Sequence, residues 1–389
     1  MIYNLTMEKI VYLDHAATTP LDKNVIEKMI PFLSDNFGNA NSLHTFGRRA
    51  VMAVDDSRDT VARLIGAKPN EIYFTSGGTE GDNWAIYSVA KGYEQKGKHI
   101  IISPIEHPAL NESAHMLKDG GYEVEYMKVD KFGTVDLAHL KSIVRQDTIF
   151  VGCMMANNEF GTIQPIKEIA QIAHSVGAIC FTDAVQATGV ISYDVKDLDV
   201  DMLSMSAHKF YGPKGVGALY VKNGVKLLPY IAGGHQERSK RGGTTNVAGI
   251  VGMATALDIA LKNTNKNNLY VKNLKDRFEN GLKENLTDIK FNGNLENRLF
   301  ANSNVTFNGI SGEALLFNLD LNGVCASNGS ACSAGSIEPS RALISIGLSK
   351  EDALSTVRFT FGKNNTESDV DYAIKVVCDC VLKLQQNRG

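Results

Sequence analysis

The chain of 389 residues has no basic excess, no apolar run of membrane-spanning length, no disulfide framework, no internal repeat and no low-complexity segment. Each absence removes a class of function. Lys plus Arg number 40 against 43 Asp plus Glu, for a formal net charge of -3, whereas a nucleic-acid-binding domain normally concentrates basic charge on one face. No direct nucleic-acid role is expected. Glu8, Lys9 and Asp14 interrupt what would be the apolar region of an N-terminal signal, and no later stretch reaches the ~20 apolar residues of a membrane helix, so a cytoplasmic protein without membrane contact is expected. Met7 opens a stretch that would serve as well as Met1, and the residues before it read as a dispensable extension. Cys153 and Cys180 lie in apolar runs and read as small buried hydrophobes. Cys378 and Cys380, two apart in a helical pattern, point to different faces and make a poor metal pair.

What is present is a globular composition, 43% hydrophobic and 21% charged, on a chain long enough for one large domain and a smaller one. From about Glu71 to Val221, short β-rich runs (71–74, 99–103, 122–129, 148–156, 178–183, 201–205, 216–221) alternate with helical stretches. That rhythm predicts an α/β domain with a mostly parallel sheet flanked by helices. A long helical stretch follows from Val247 to about Glu284, with an Asn/Lys-rich interval near Lys262–Asn268 expected to bend it, and the remainder reads as a smaller α+β unit. The division expected is a large domain over 21–260 and a small one combining 1–20 with 261–389.

The chemistry gathers where those strands end. Ser204-Met205-Ser206-Ala207-His208-Lys209 places a lysine just past an apolar strand; alone it would pass for a solvated turn residue. Asp183 ends the run Ala178–Asp183, and open α/β sheets hold their ligands at that edge. A lysine that can form a Schiff base, near a carboxylate that can keep a pyridine ring protonated, fits pyridoxal 5'-phosphate. Thr75-Ser76-Gly77-Gly78-Thr79-Glu80 sits between a strand and a helix, where bare backbone N–H groups bind anions. With Ser206 and His208 it reads as a phosphate cup. His107 could stack on a ring and move protons, although Pro108 after it also fits an ordinary helix start. Asn158 follows the 148–156 run and could hold a ring oxygen or a substrate carboxylate, or be a turn residue. Arg358, a charge inside a strand pattern, could clamp a carboxylate or lie on an edge strand. Cys332 stands alone in the small, polar stretch Ala326–Ser336, and an exposed thiol there suggests a nucleophile that must travel.

Taken together, Tyr12–Pro20, Phe74–Glu80, Glu106-His107, Asn157-Asn158-Glu159, Asp183–Gln186, Ser206–Gly217, Gly233–Asn246 and Gly329–Cys332 resemble the cysteine desulfurases of the NifS/IscS type, in the class V aminotransferase, fold type I superfamily. The resemblance spans nearly the whole chain. It implies Lys209 as the Schiff-base lysine, Asp183 as partner of the ring nitrogen, Gln186 on the ring hydroxyl, and His107 stacked on the ring. It implies Gly78, Thr79, Ser206 and His208 on the phosphate, with Thr244 reaching that phosphate from the neighbouring subunit of a homodimer. Asn158 and Arg358 would position cofactor and L-cysteine. Cys332, in a loop expected over about 323–339, would take the sulfur as a persulfide, release L-alanine and hand the sulfur to an acceptor protein such as an iron–sulfur scaffold. In some long-loop relatives that cysteine also ligates a cluster transiently, which would make Cys332 a metal ligand. Phe181 and Ala40 depart from many relatives at positions the mechanism does not need. The alternative reactions are those of a selenocysteine lyase or a cysteine sulfinate desulfinase.

Overall fold

The computed structural model describes residues 9–328 and 338–386. Its central element is a seven-stranded sheet in the order Ile72–Thr75, Gly217–Val221, Met202–Ser206, Ile179–Asp183, Thr148–Gly152, His99–Ile102, Glu123–Tyr126. Every neighbouring pair is parallel except the two made by Gly217–Val221, which runs against both its neighbours. The strands Thr148–Gly152 and Met202–Ser206 are buried at every position, the continuous apolar pattern of a sheet covered on both faces. Side chains alternate between two layers accordingly. Ile100, Ile102 and Phe150 pack with Trp84 of the helix Gly78–Gly92, while Ile101 and Val151 pack on the other face with Ile169 and Ala173 of the helix Ile166–Ser175.

The strand expected over 148–156 stops at Gly152, because the chain then bends into a loop whose Ala156 bridges to Ile163. The helical stretch after Val247 is broken at Asn263 into Val247–Lys262 and Thr264–Asn285. Asn263 donates its backbone N–H to Ala260 and Leu261 and its amide to the Ile259 carbonyl, closing the first helix.

A second apolar core contains Val11, Leu13, Leu274, Phe278, Phe359 and Val377. It lies between the antiparallel sheet Thr356–Thr360, Asn302–Phe307, Ile289–Phe291 and the helices Thr264–Asn285 and Glu367–Gln386. The N-terminal segment Val11–Tyr12 joins this body by pairing in parallel with Val324–Cys325. Among the described residues no helix is long and apolar enough to cross a membrane.

Candidate active site

Parallel strands share one carboxyl edge, and here that edge carries the chemistry. The loops after Ile72–Thr75, His99–Ile102, Thr148–Gly152, Ile179–Asp183 and Met202–Ser206 bring Gly78 and Thr79, His107, Asn158, Asp183, and Ser206, His208 and Lys209 to one cavity of 520 Å³. Gln186 and Arg358 line it as well. A second cavity, of 340 Å³, meets Lys209 from the other side of residues 16–17, but has neither the helix start nor Asp183 in its wall.

At one end the helix Gly78–Gly92 opens without any side-chain cap. Its first N–H groups therefore have no partner within the helix and carry its positive dipole end, which suits a phosphate. A Cβ at position 78 would lie 2.5 Å from Val185 Cγ2, so glycine leaves the helix start open without displacing that side chain. The neighbouring His208 lies with Nδ1 3.1 Å from Thr18 Oγ1. Burial, followed by the charges of Lys209 and Lys214, lowers its pKa to about 4, so the ring is neutral near pH 7.

At the floor, Asp183 is buried and accepts the Val185 N–H through Oδ1 at 2.8 Å. Burial pushes its carboxyl up to about 6, against the opposing pull of that hydrogen bond and of Lys209. Two further buried acids lie nearby. Asp82 accepts the Ser204 hydroxyl and is raised well above the usual carboxyl range by burial and by Asp183. Glu106 accepts the Ser103 hydroxyl and the Met154 N–H, and burial raises it to about 8. A cavity with this floor favours a cation beside Asp183, such as a protonated ring nitrogen.

Lys209 follows the strand Met202–Ser206 on a short helical turn. Its ammonium donates to the carbonyls of Ala16 at 2.6 Å and Ala17 at 2.9 Å. His107 meets the helix-start reading and also faces the cavity. It caps the helix Pro108–Asp119, with Nδ1 accepting the Ala109 N–H at 3.1 Å, and its ring lines the cavity. Burial and then Lys209 hold its pKa near 4. With Nδ1 used as an acceptor, the neutral ring carries its proton on Nε2.

Asn157, not Asn158, makes the turn after the 148–152 strand. Its Oδ1 accepts the Glu159 and Phe160 N–H groups, leaving Asn158 at the cavity wall. Gln186 donates its amide to the Ala16 carbonyl at 3.0 Å. Arg358 sits on the edge strand Thr356–Thr360 and is only 2% exposed. One nitrogen bonds the Asp14 carboxylate at 2.7 Å and another the Asn158 carbonyl at 3.0 Å. Thr244 is not brought to the cavity; it lines a separate surface pocket with Phe74, Ser76 and Gly215. Cys332 lies outside the described residues, but both flanks of its stretch meet the site. Ser327 and Arg358 exchange backbone hydrogen bonds at 3.2 and 2.6 Å, and the Ser340 hydroxyl donates to the buried Glu159 at 2.6 Å.

Sequence reasoning passed over Asp82, Glu159 and Asp14 as site residues. A signal existed for Asp82, which stands on the helical face of Ala85, Ile86 and Val89, where only apolar residues belong.

The groups lining the cavity fit pyridoxal phosphate: an uncapped helix start, a buried carboxyl and a lysine. The chain matches the family Aminotransferase class-V over residues 11–373. It is 47% identical to a "Cysteine desulfurase IscS" of Clostridium botulinum strain Hall, over 95% of this chain and 94% of that one. To the protein of that name from Dictyoglomus turgidum it is 48% identical, over 97% and 96%. Among solved structures, a NifS-like protein superposes with a TM-score of 0.91 at 37% identity, covering 96% of this chain and all of that one. A NifS-like protein from Rickettsia africae gives 0.86 at 31% identity, covering 95% and 99%. The chain therefore belongs to the class-V aminotransferases, among the pyridoxal-phosphate-dependent cysteine desulfurases of the IscS type.

Proposed function

We propose that this site takes the sulfur of L-cysteine onto Cys332 as a persulfide, releases L-alanine and passes the sulfur to an acceptor protein. The observation that carries the reading is the meeting of Lys209, Asp183 and His107 in one cavity, with Arg358 on its wall and both flanks of the Cys332 stretch tied to it. Pyridoxal phosphate, when bound, supplies an aldehyde for amines and a protonated ring that draws electrons from the substrate's α-carbon.

The protein's residues do the rest. Gly78, Thr79, Ser206 and His208 would hold the phosphate, Asp183 would keep the ring proton in place, and Gln186 and Asn158 would bond the ring's oxygen. Lys209 is the residue that would hold the cofactor's aldehyde, and the Ala16 and Ala17 carbonyls, which hold its ammonium, position that nitrogen. His107, neutral with the proton on Nε2, is suited to give and retake a proton at the substrate. Arg358, oriented by Asp14 and the Asn158 carbonyl, receives the substrate carboxylate. The Cys332 thiolate would then attack the substrate sulfur, forming the S–S bond of the persulfide as the carbon–sulfur bond breaks; the electron pair left on that carbon takes up a proton, and the amino acid departs as alanine.

The division into domains 21–260 and 1–20 with 261–389 belongs to this proposal, with the two apolar cores as its support. So does the homodimer. Thr244 stands on the surface away from its own cavity, and Ile30, Leu33, Phe37, Leu43 and Met52 leave an apolar band exposed along residues 23–52. In this reading a second copy covers that band, and its Thr244 reaches the phosphate. The five free cysteines among the described residues accord with a cytoplasmic protein. Transient cluster ligation by Cys332 would belong to delivery, after the chemistry.

Radiosulfur-labelled cysteine tests the reading. Label should remain on the peptide containing Cys332, leave on reduction, and appear together with alanine. Alanine formed without any label on that peptide would favour a lyase acting without a cysteine nucleophile.

A further inference from the structure

The segment leading to Thr244 contains the most strained backbone outside the glycines. Glu237, Arg238 and Ser239 have φ of 43°, 56° and 61°, one after another, although none is glycine. Left-handed residues of this kind normally occur singly, so a run of them persists only where its surroundings hold it.

The surroundings are specific. Glu237 turns inward, with its side chain 8% exposed, and takes both terminal nitrogens of Arg58 at 2.7 and 2.8 Å. Its carboxylate also accepts the Phe74 N–H at 2.9 Å. Phe74 lies in the sheet's edge strand, so this N–H faces outward and would otherwise be unpaired. The Arg58 guanidinium stacks 4.7 Å from the Phe74 ring centre, and that of Arg238 lies 4.0 Å from the Tyr73 ring centre while donating to the Ile72 carbonyl. Further on, Arg241 grips Glu80 at 2.9 and 3.1 Å, and Gly243 donates to the Gln236 amide oxygen. A plain surface connection needs neither a buried ion pair nor left-handed residues.

We infer that Glu237, held by Arg58, is a positioning residue that shapes the segment Gln236–Gly243 so that Thr244 meets the cofactor phosphate of the partner subunit. The inference rests on the dimer reading above. A competing assignment is local, because Glu237 also touches Phe74, in the strand leading to its own subunit's Gly78 and Thr79.

Mixed dimers separate the two. Two species are purified from differently tagged chains, each containing one Lys209→Ala and one Glu237→Ala substitution. In the first, both substitutions share a chain, so the intact Lys209 is served by the altered segment across the interface. In the second they lie on opposite chains, and the intact Lys209 is served by an unaltered segment. After cofactor removal, pyridoxal phosphate is titrated back and the visible absorbance of its lysine-bound form is followed. The first species should bind about tenfold more weakly than the second, the scale of one charge-assisted hydrogen bond. Because both species contain the same substitutions, a general loss of stability moves them together. Equal affinities, or weaker binding by the second, would overturn the inference. Sedimentation as a monomer would instead remove the dimer reading, and this inference with it.

Discussion

Lys209, Asp183 and His107 stand at the ends of parallel strands in one sheet, whereas Arg358 comes from the edge strand of a second, smaller sheet, and Cys332 from the stretch between Ser327 and Ser340. The two walls of the cavity carry different groups. The sheet side is fixed by strands buried on both faces, with acids whose burial forces their proton affinity upward. The opposite side also stands on strands buried throughout, Asn302–Phe307 and Thr356–Thr360, and polar links such as Arg358 to the Asn158 carbonyl and Ser340 to Glu159 join it to the first. In the proposed reading, the large-sheet wall carries the groups that would hold the cofactor, and the other carries Arg358, which would receive the substrate carboxylate.

Substitutions on each wall should therefore fail differently. Lys209→Ala removes the anchor on the sheet side, and turnover should fall by roughly 10³-fold or more, measured as alanine formed in a single turnover. Arg358→Ala removes the proposed substrate clamp and leaves Asp14 without its buried partner. We expect kcat/KM for cysteine to drop about 100-fold, mostly through KM, while cofactor affinity changes little. Asp14→Asn keeps the side-chain shape but loses the charge that orients Arg358, so KM should rise about tenfold with kcat nearly intact. Cofactor lost in proportion to the KM change in either variant would show that the two walls do not act separately.

The smallest effect expected concerns pH. Glu106 has a carboxyl raised to about 8 in the folded chain against an ordinary 4.5, so its contribution to stability is full below the ordinary value and is lost as pH rises toward 8. Glu106→Gln should therefore raise the melting temperature of the cofactor-free protein relative to the parent more at pH 8 than at pH 5. His107 and His208, held near 4, act with the opposite sign, and their contribution is lost as pH falls from 6.5 toward 4. An equal shift at both pH values would mean that Glu106 is not the group responsible.

The large-sheet wall was the more legible one in the sequence. Apolar runs ending in Asp183, Ser206 and Lys209 announce a sheet edge, because strand periodicity and the placement of polar residues after it are local properties. The exit of the 148–152 strand was less so, since where a strand stops depends on the loop partner Ile163. Asp14, Asp82 and Glu159 act through contacts with residues distant in the chain, and no spacing rule connects Asp14 to Arg358. The left-handed run at Glu237 was also hidden, because its sequence contains none of the glycines that usually mark such backbone.

The separation of the two walls is tested most directly by Cys332→Ala loaded with pyridoxal phosphate and mixed with L-cysteine. The cofactor's visible spectrum should shift as in the parent, showing that Lys209 and its neighbours still engage the amino acid. Alanine and sulfide should fall to near zero. Sulfide and alanine released at the parent's rate would contradict the account, because sulfur would then leave without the cysteine assigned to take it.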